Sequence, residues 1–181
     1  KYLVIASGTK PIIPKIPTIH DSIKNNVFFE IHQLGQVFDK KITIIGAGDC
    51  AFDYALNLSG SNQVILLNRS THIKALPILQ EHCSTSSNIR YLENISVKKI
   101  ENVNNQLLLF CNNAEKLTAD HLLIAIGREP NLDFIDVNIL EKPNLFQIGD
   151  VKNGLYRQTT ISTGDGTFTA MMISSRLSQG R

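Results

Sequence analysis

The chain has 181 residues, 43% hydrophobic and 19% charged, a balance that specifies a soluble globular protein with one good core or two small domains. A formal charge of +2 is too small to recruit nucleic acid or an anionic membrane, and the longest apolar runs, Leu107 to Cys111 and Leu122 to Gly127, fall far short of a bilayer span. Cys50, Cys83 and Cys111 form no C-x-x-C pair and the five histidines show no i, i+4 pairing, which supports neither a disulfide scaffold nor a metal site and fits a reducing cytoplasm.

In chain order, Tyr2 to Thr9 reads as a buried-type strand that runs into a turn at Gly8. A core strand needs neighbours that cover it, so a further segment is expected to precede it. Lys10 to Pro17 carries Pro11, Pro14 and Pro17 and reads as a stiff connector between domains. Next comes a strand, Lys41 to Ile45, followed at once by Gly46-Ala47-Gly48-Asp49-Cys50-Ala51. Ala51, Tyr54, Ala55 and Leu58 then recur at helical spacing, and Gln63 to Leu67 is a second strand. Together these make one βαβ unit with a dinucleotide-binding turn. Gly46 makes the tight bend, Gly48 lets backbone N–H groups approach a pyrophosphate, and Ala51 is small enough where helix meets strand. Asp49 is expected to point away from the phosphate and cap its own helix.

The end of the second strand, about 20 residues past the first glycine, is where such units read the adenosine ribose. An acid there would bond the 2′-hydroxyl of NAD, whereas a cation would accept the 2′-phosphate of NADP. Asn68, Arg69 and Ser70 stand there, no acid occurs between Asp53 and Glu81, and Lys74 adds a second cation. Arginine's planar fork suits a phosphate, so NADP is the first choice and NAD the second.

Further on, Ile89 to Ile100 and Gln106 to Cys111 read as strands separated by Asn-rich turns, and Thr118-Ala119-Asp120 leads into a strand from Leu122 to Ile126. Ile124-Ala125-Ile126-Gly127 echoes Ile5-Ala6-Ser7-Gly8, which suggests two crossings of one domain boundary. Asn144 to Asp150 is a strand ending in a tight turn with an acid. Phe168 to Leu177 is helical, with Gly164-Asp165-Gly166-Thr167 offering backbone N–H groups at its start.

These residues resemble the C-terminal two thirds of a thioredoxin-reductase-like flavoprotein in the pyridine nucleotide-disulfide oxidoreductase superfamily. Ala6-Ser7-Gly8-Thr9 resembles the family's A-T-G strand end, and Gly46 to Ala51 its NAD(P)H turn. Asn68-Arg69-Ser70 with Lys74 resembles the cationic run that binds the 2′-phosphate, with Ser70 in place of an arginine. Gly127-Arg128-Glu129-Pro130-Asn131 is similar to the return into the flavin domain. Gly149-Asp150-Val151, Tyr156-Arg157-Gln158 and Gly164-Asp165-Gly166 resemble the block that closes over FAD.

The resemblance implies an NADP site at Gly46, Ala47, Gly48, Asp49, Cys50, Ala51, Asn68, Arg69, Ser70, Lys74, Ile126 and Gly127. It implies a FAD site at Ser7, Gly8, Thr9, Gly149, Asp150, Arg157, Gln158 and Thr159. Asp53 falls where the family usually carries a glutamate near the nicotinamide, one methylene shorter in reach. The family's redox C-x-x-C has no counterpart, since Asn26 to Lys40 contain no cysteine, and its N-terminal FAD turn is not in this sequence.

The resulting expectation is an α/β fold. A Rossmann-like NAD(P)-binding domain, a βαβ unit with an antiparallel meander, spans residues 16–126, and parts of a FAD-binding domain lie at 1–15 and 127–181. The activity implied is an NADPH-dependent FAD-containing oxidoreductase that works without a dithiol, as in ferredoxin–NADP reductase-like enzymes. Its electron acceptor would be a small molecule or small redox protein, and relatives of this kind are commonly homodimers. A non-catalytic NAD(P)-binding or redox-sensing module is the alternative.

Overall fold

A computed structural model describes residues 1–16 and 25–179. Pro17, at the end of the expected connector, and His20 lie outside the described residues. In chain order the elements are β1 (Leu3–Ile5), β2 (Thr9–Pro11), β3 (Val27–Phe28), β4 (Lys41–Ile45), α1 (Asp49–Ser59), β5 (Gln63–Leu67), α2 (Pro77–Thr85) and β6 (Ile89–Leu92). There follow β7 (Val97–Val103), β8 (Gln106–Cys111), β9 (Lys116–Ala119), β10 (His121–Ile124), β11 (Arg128–Pro130), α3 (Val137–Leu140), β12 (Leu145–Gln147) and α4 (Thr159–Gln179). The chain divides into two compact units, Ile13–Ile126 and Lys1–Ile12 with Gly127–Arg181.

The larger unit is built on a five-stranded parallel sheet in the order β3-β10-β4-β5-β6. Near-continuous apolar sequence in β4, β5 and β10 allows both faces of that sheet to be covered. Ile42, Ile44, Val64, Leu66 and Leu123 pack against Ala51, Phe52, Ala55 and Leu58 of α1 and Cys83 of α2. The alternate residues Leu67, Leu122 and Ile124, with Ile45 and Ile65, pack against Ile100, Leu107, Leu109, Leu117 and Ala119 of an antiparallel meander, β7-β8-β9. The period-two alternation of the strands thus supplies two cores, one per face. Thr43 is 1% exposed, and its hydroxyl has no hydrogen-bond partner among the described residues.

Asp120 ties the lower edge of the sheet together. Its carboxylate accepts from Lys41 N–H at 2.8 Å and from the Gln106 amide at 2.9 Å, while its own N–H donates to the Lys41 carbonyl at 2.8 Å.

Two sequence expectations in this unit need correction. The run Ile89 to Ile100 is two strands in different sheets, because Asn94 takes a left-handed conformation (φ 58°), which asparagine tolerates. The Asn112 side chain fastens that break, accepting from Ser96 N–H at 2.9 Å and donating to the Asn94 carbonyl at 3.0 Å. Thr118 and Ala119 belong to β9 rather than to a lead-in, and β10 ends at Ile124. On α1 Phe52 is a further buried residue, and Tyr54, half-buried, packs against the same core as Ala51, Ala55 and Leu58.

The smaller unit holds two strand pairs, β1 with β12 in parallel and β2 with β11 antiparallel. The connector therefore begins with a short strand that includes Pro11, tolerable in a two-stranded ribbon whose every strand is an edge. In this chain Ile5 is buried, and Leu3 and Val4 are 48% and 41% exposed. Helix α4 starts at Thr159 and encloses Gly164, Asp165 and Gly166, so their N–H groups do not form a helix start.

Candidate functional site

In the larger unit the glycine turn sits where the strand order reverses. β4 lies between β5, which follows it in sequence, and β10, which arrives after the meander. Ligands of such sheets bind beyond the carboxyl ends of the strands at this switch point. Gly46 has φ 150° and donates its N–H to the Leu67 carbonyl at 3.0 Å. A Cβ on Gly46 would stand 2.3 Å from the Ala125 carbonyl oxygen and 3.1 Å from the Ala51 Cβ, so no side chain fits at 46. Gly48 is the N-cap of α1 with no side-chain cap, which leaves its first turn open to an anion.

Asp49 does not cap its own helix. Its carboxylate accepts from the N–H of Leu76, the N-cap residue of α2, at 2.7 Å. The Ala47 carbonyl accepts from Lys74 N–H at 2.8 Å and Ala75 N–H at 3.1 Å, which brings the backbone at Lys74 to the turn. Arg69 and Lys74 are exposed, and neither side chain has a charged partner among the described residues. Asn68 is buried, and Ser70 N–H donates to its side-chain oxygen at 3.1 Å.

Cys50 is exposed on the first turn of α1, next to Tyr54, whose hydroxyl donates to Glu30 at 2.9 Å. Burial, the Cys50 thiol and the Glu30 carboxylate push the Tyr54 phenol up. Asp53 is exposed on α1, and its carboxylate has no partner among the described residues. Ile126 is the last residue of this unit and Gly127 the first of the return into the other, where the Gly127 carbonyl accepts from Ile12 N–H at 3.0 Å.

In the smaller unit Gly8, Gly149, Asp150, Arg157, Gln158 and Thr159 line one open cleft of about 440 Å³, together with Ala6, Ile148 and Ser162. Ser7 and Thr9 do not line it. The Ser7 hydroxyl donates to the Asn131 carbonyl at 2.6 Å, and the Thr9 hydroxyl accepts from Arg128 Nε at 2.8 Å. Gly149 (φ 69°) opens a single 3-10 turn, Gly149–Val151, and a Cβ there would lie 3.2 Å from the Ser162 hydroxyl.

The Gly164-Asp165-Gly166 block is named in the sequence analysis, but not the part that Asp165 plays in fixing this turn. The Asp165 carboxylate on α4 accepts from Asn153 Nδ2 at 2.7 Å, Gly149 N–H at 3.0 Å and Lys152 Nζ at 3.0 Å. The Asn153 amide, the Lys152 ammonium and the Gly149 N–H hold its pKa down to about 2. Ser162, whose hydroxyl donates to Asp150 at 3.3 Å, was missed. The signal available was the Gly164-Asp165-Gly166 triplet, an acid flanked by residues with no side chain to shield it.

The two sites fit a dinucleotide on their own geometry. One is a glycine turn with no space for a Cβ at a helix N-terminus, and the other is a cleft with an acid, an arginine and an amide around a left-handed glycine. Among the described residues, no helix is long and apolar enough to cross a membrane, and no three His, Cys, Asp or Glu side chains cluster for a metal ion.

The NADH dehydrogenase of Ferdinandcohnia aciditolerans is 25% identical, over 94% of this chain and 37% of its own length. A ferredoxin–NADP reductase of Bradyrhizobium is 27% identical, over 83% of this chain and 52% of its own. The crystal structure of Lactococcus lactis thioredoxin reductase superposes with a TM-score of 0.81 at 22% identity, over 97% of this chain and 65% of that one. The chain thus spans about 37% to 65% of the length of the relatives it matches. Members of the family that this similarity points to bind FAD and NAD(P)H. Residues 1–166 match the profile of that family, and the chain belongs to the pyridine nucleotide-disulphide oxidoreductases.

Proposed function

We propose that the chain is the nucleotide-binding portion of an NADPH-dependent, FAD-containing oxidoreductase that passes hydride from nicotinamide to flavin. The observation that carries this reading is the Gly46 turn at the sheet's switch point, with two exposed cations, Arg69 and Lys74, on the loop stitched to it and without a charged partner among the described residues. The backbone at Gly46 and Gly48 admits the pyrophosphate, the first turn of α1 offers it N–H groups, and Arg69 and Lys74 receive the 2′-phosphate. In the cleft of the smaller unit, Asp150 would accept from hydroxyls of the FAD chain, and Arg157 and Gln158 would help to hold it. The flavin, when bound, supplies the hydride-accepting chemistry; the protein's contribution is placement and exclusion of water.

No C-x-x-C pair occurs in this sequence, so the acceptor we infer is external, a small molecule or a small redox protein, as in ferredoxin–NADP reductase-like enzymes. A reducing compartment such as the cytoplasm suits its free thiols.

The test is a calorimetric titration with NADPH and then NADH, on wild type and on Arg69→Ala. Arg69→Ala is expected to weaken NADPH binding by about 1.5–3 kcal/mol, the range for a hydrogen bond to a charged group, and to leave NADH nearly unchanged. Equal losses for both nucleotides refute the 2′-phosphate role. The flavin content of a longer parent protein that carries the N-terminal FAD turn separates the oxidoreductase from a non-catalytic NAD(P)-binding module, which needs no FAD.

A further inference from the structure

Asn68 stands where a ribose contact is expected, yet both of its side-chain donors and one of its acceptor sites are already taken. It is 4% exposed. An amide offers two N–H donors and an oxygen with two acceptor sites. Nδ2 donates to the His72 carbonyl at 3.0 Å and to the Tyr91 hydroxyl at 2.9 Å, while Oδ1 accepts from Ser70 N–H at 3.1 Å and from the Ser70 hydroxyl at 3.5 Å. A carbonyl only accepts and a backbone N–H only donates, so the amide can sit only one way round.

The main chain is held just as firmly. Asn68 N–H donates to the Leu92 carbonyl at 2.8 Å, Ile95 N–H to the Asn68 carbonyl at 2.9 Å, and Asn94 N–H to the Ser70 carbonyl at 3.5 Å. The Tyr91 ring lies 6.0 Å from the ring of Phe52, tilted by 41°, and Phe52 belongs to the helix that the glycine turn opens. At its other end the loop is pinned by Lys74 N–H on the Ala47 carbonyl. The segment from Asn68 to Lys74 is therefore tied at one end to β6 and at the other to the phosphate turn. Between those ties the Arg69 side chain projects exposed.

We propose that Asn68 and Tyr91 are positioning residues that set nucleotide selectivity by fixing the loop that carries Arg69, and that Asn68 does not touch the ribose. The inference rests on the NADPH reading above. A guanidinium on a pre-set loop meets the 2′-phosphate without first having to order the loop, and the phosphate-free NADH gains nothing from that order. The hydroxyl of Tyr91 is thus a selectivity determinant that never contacts the nucleotide.

The experiment measures Kd for NADPH and NADH on the full chain and on Tyr91→Phe and Asn68→Ala. Tyr91→Phe removes one hydroxyl and keeps the ring against Phe52, so the fold stands. It is expected to raise Kd for NADPH about fivefold, the size of one ordinary hydrogen bond, and to leave Kd for NADH within about twofold. Asn68→Ala moves the ratio further in the same direction. General loosening of the unit weakens both nucleotides alike, so equal losses in Tyr91→Phe overturn the proposal, as does an unchanged NADPH preference in both variants. A wild-type chain that prefers NADH or binds neither nucleotide overturns the NADPH reading itself, and this inference with it.

Discussion

The two units are held together by different means. In the larger, Ile44, Leu66, Leu107, Leu109, Leu122 and Leu123 are fully buried, and each face of the parallel sheet has its own apolar partner layer. In the smaller, the buried residues among those described are Ile5, Gly149, Val151 and Thr169, while Phe168, Met171 and Leu177 of α4 are more than half exposed. Its geometry depends on polar fixings, above all Asp165 on the Gly149 turn. Within this chain, apolar burial fixes the parallel sheet and directed hydrogen bonds fix the Gly149 turn.

The sharpest way to break this contrast is to cut one side chain in each unit. Leu109→Ala leaves a cavity between sheet and meander and should cost about 3 kcal/mol of stability by urea denaturation. Leu177→Ala, at a position 56% exposed, should change it by no more than about 0.5 kcal/mol. A comparable loss at both sites would mean that the smaller unit has a core the exposure values do not reveal.

Gly46→Ala comes next, because its Cβ collides with the backbone carbonyl of Ala125 rather than with a yielding side chain. Overpacking and strain should cost about 2 kcal/mol, and NADPH binding should be lost with the turn. A variant with full stability that still binds NADPH would show that the turn does not seat the pyrophosphate. In the opposite sense, Thr43→Val replaces a buried, unpartnered hydroxyl with a methyl and should raise stability by about 1 kcal/mol. Destabilisation instead would point to a partner for that hydroxyl.

The smallest effect is a difference in acid sensitivity. Burial, with Lys40 adding to it and Asp120 opposing it, holds His121 of the larger unit below its ordinary 6.5. The unfolded chain therefore binds this proton more readily, and stability is lost as pH falls through about 6.5 toward the folded value. Asp165 of the smaller unit is held at about 2 against an ordinary 3.8, so its contribution is intact above about pH 4 and fades as pH falls toward 2. Residue-resolved amide protection on acidification should fall first in β10 and β4 and later around Gly149 and α4. His121→Gln should flatten the first slope and Asp165→Asn the second.

The parts of this fold that were legible in the sequence are those whose signal is local. β4, the glycine turn, α1 and β5 follow one another with period-two and helical spacing and punctuation in the right place, and the structure has them there. α2 was not read because Cys83 is its single buried residue, so nine residues carry no apolar stripe. The start of α4 was hidden by glycine: two glycines within a helix cost about 1 kcal/mol each against alanine and read as a loop. At the candidate site the residue types were legible but their duties were not. Nothing near Asn68 in sequence shows that its amide is occupied by Tyr91, and nothing near Gly149 announces the carboxylate at Asp165.

The strand order has a consequence for how the chain becomes ordered in time. β10 lies inside the parallel sheet, between β3 and β4, yet it follows the whole meander in sequence. During synthesis one side of β4 therefore stays open until the residues of β10 have emerged, and an unpaired apolar strand edge in a nascent chain is a site for wrong partners. The smaller unit waits longer still, since Leu3 pairs with Leu145 and Pro11 with Arg128. Such distant pairings are slow to find. The β1–β12 ladder should thus be the last to form, and its appearance would time the completion of everything made between its strands.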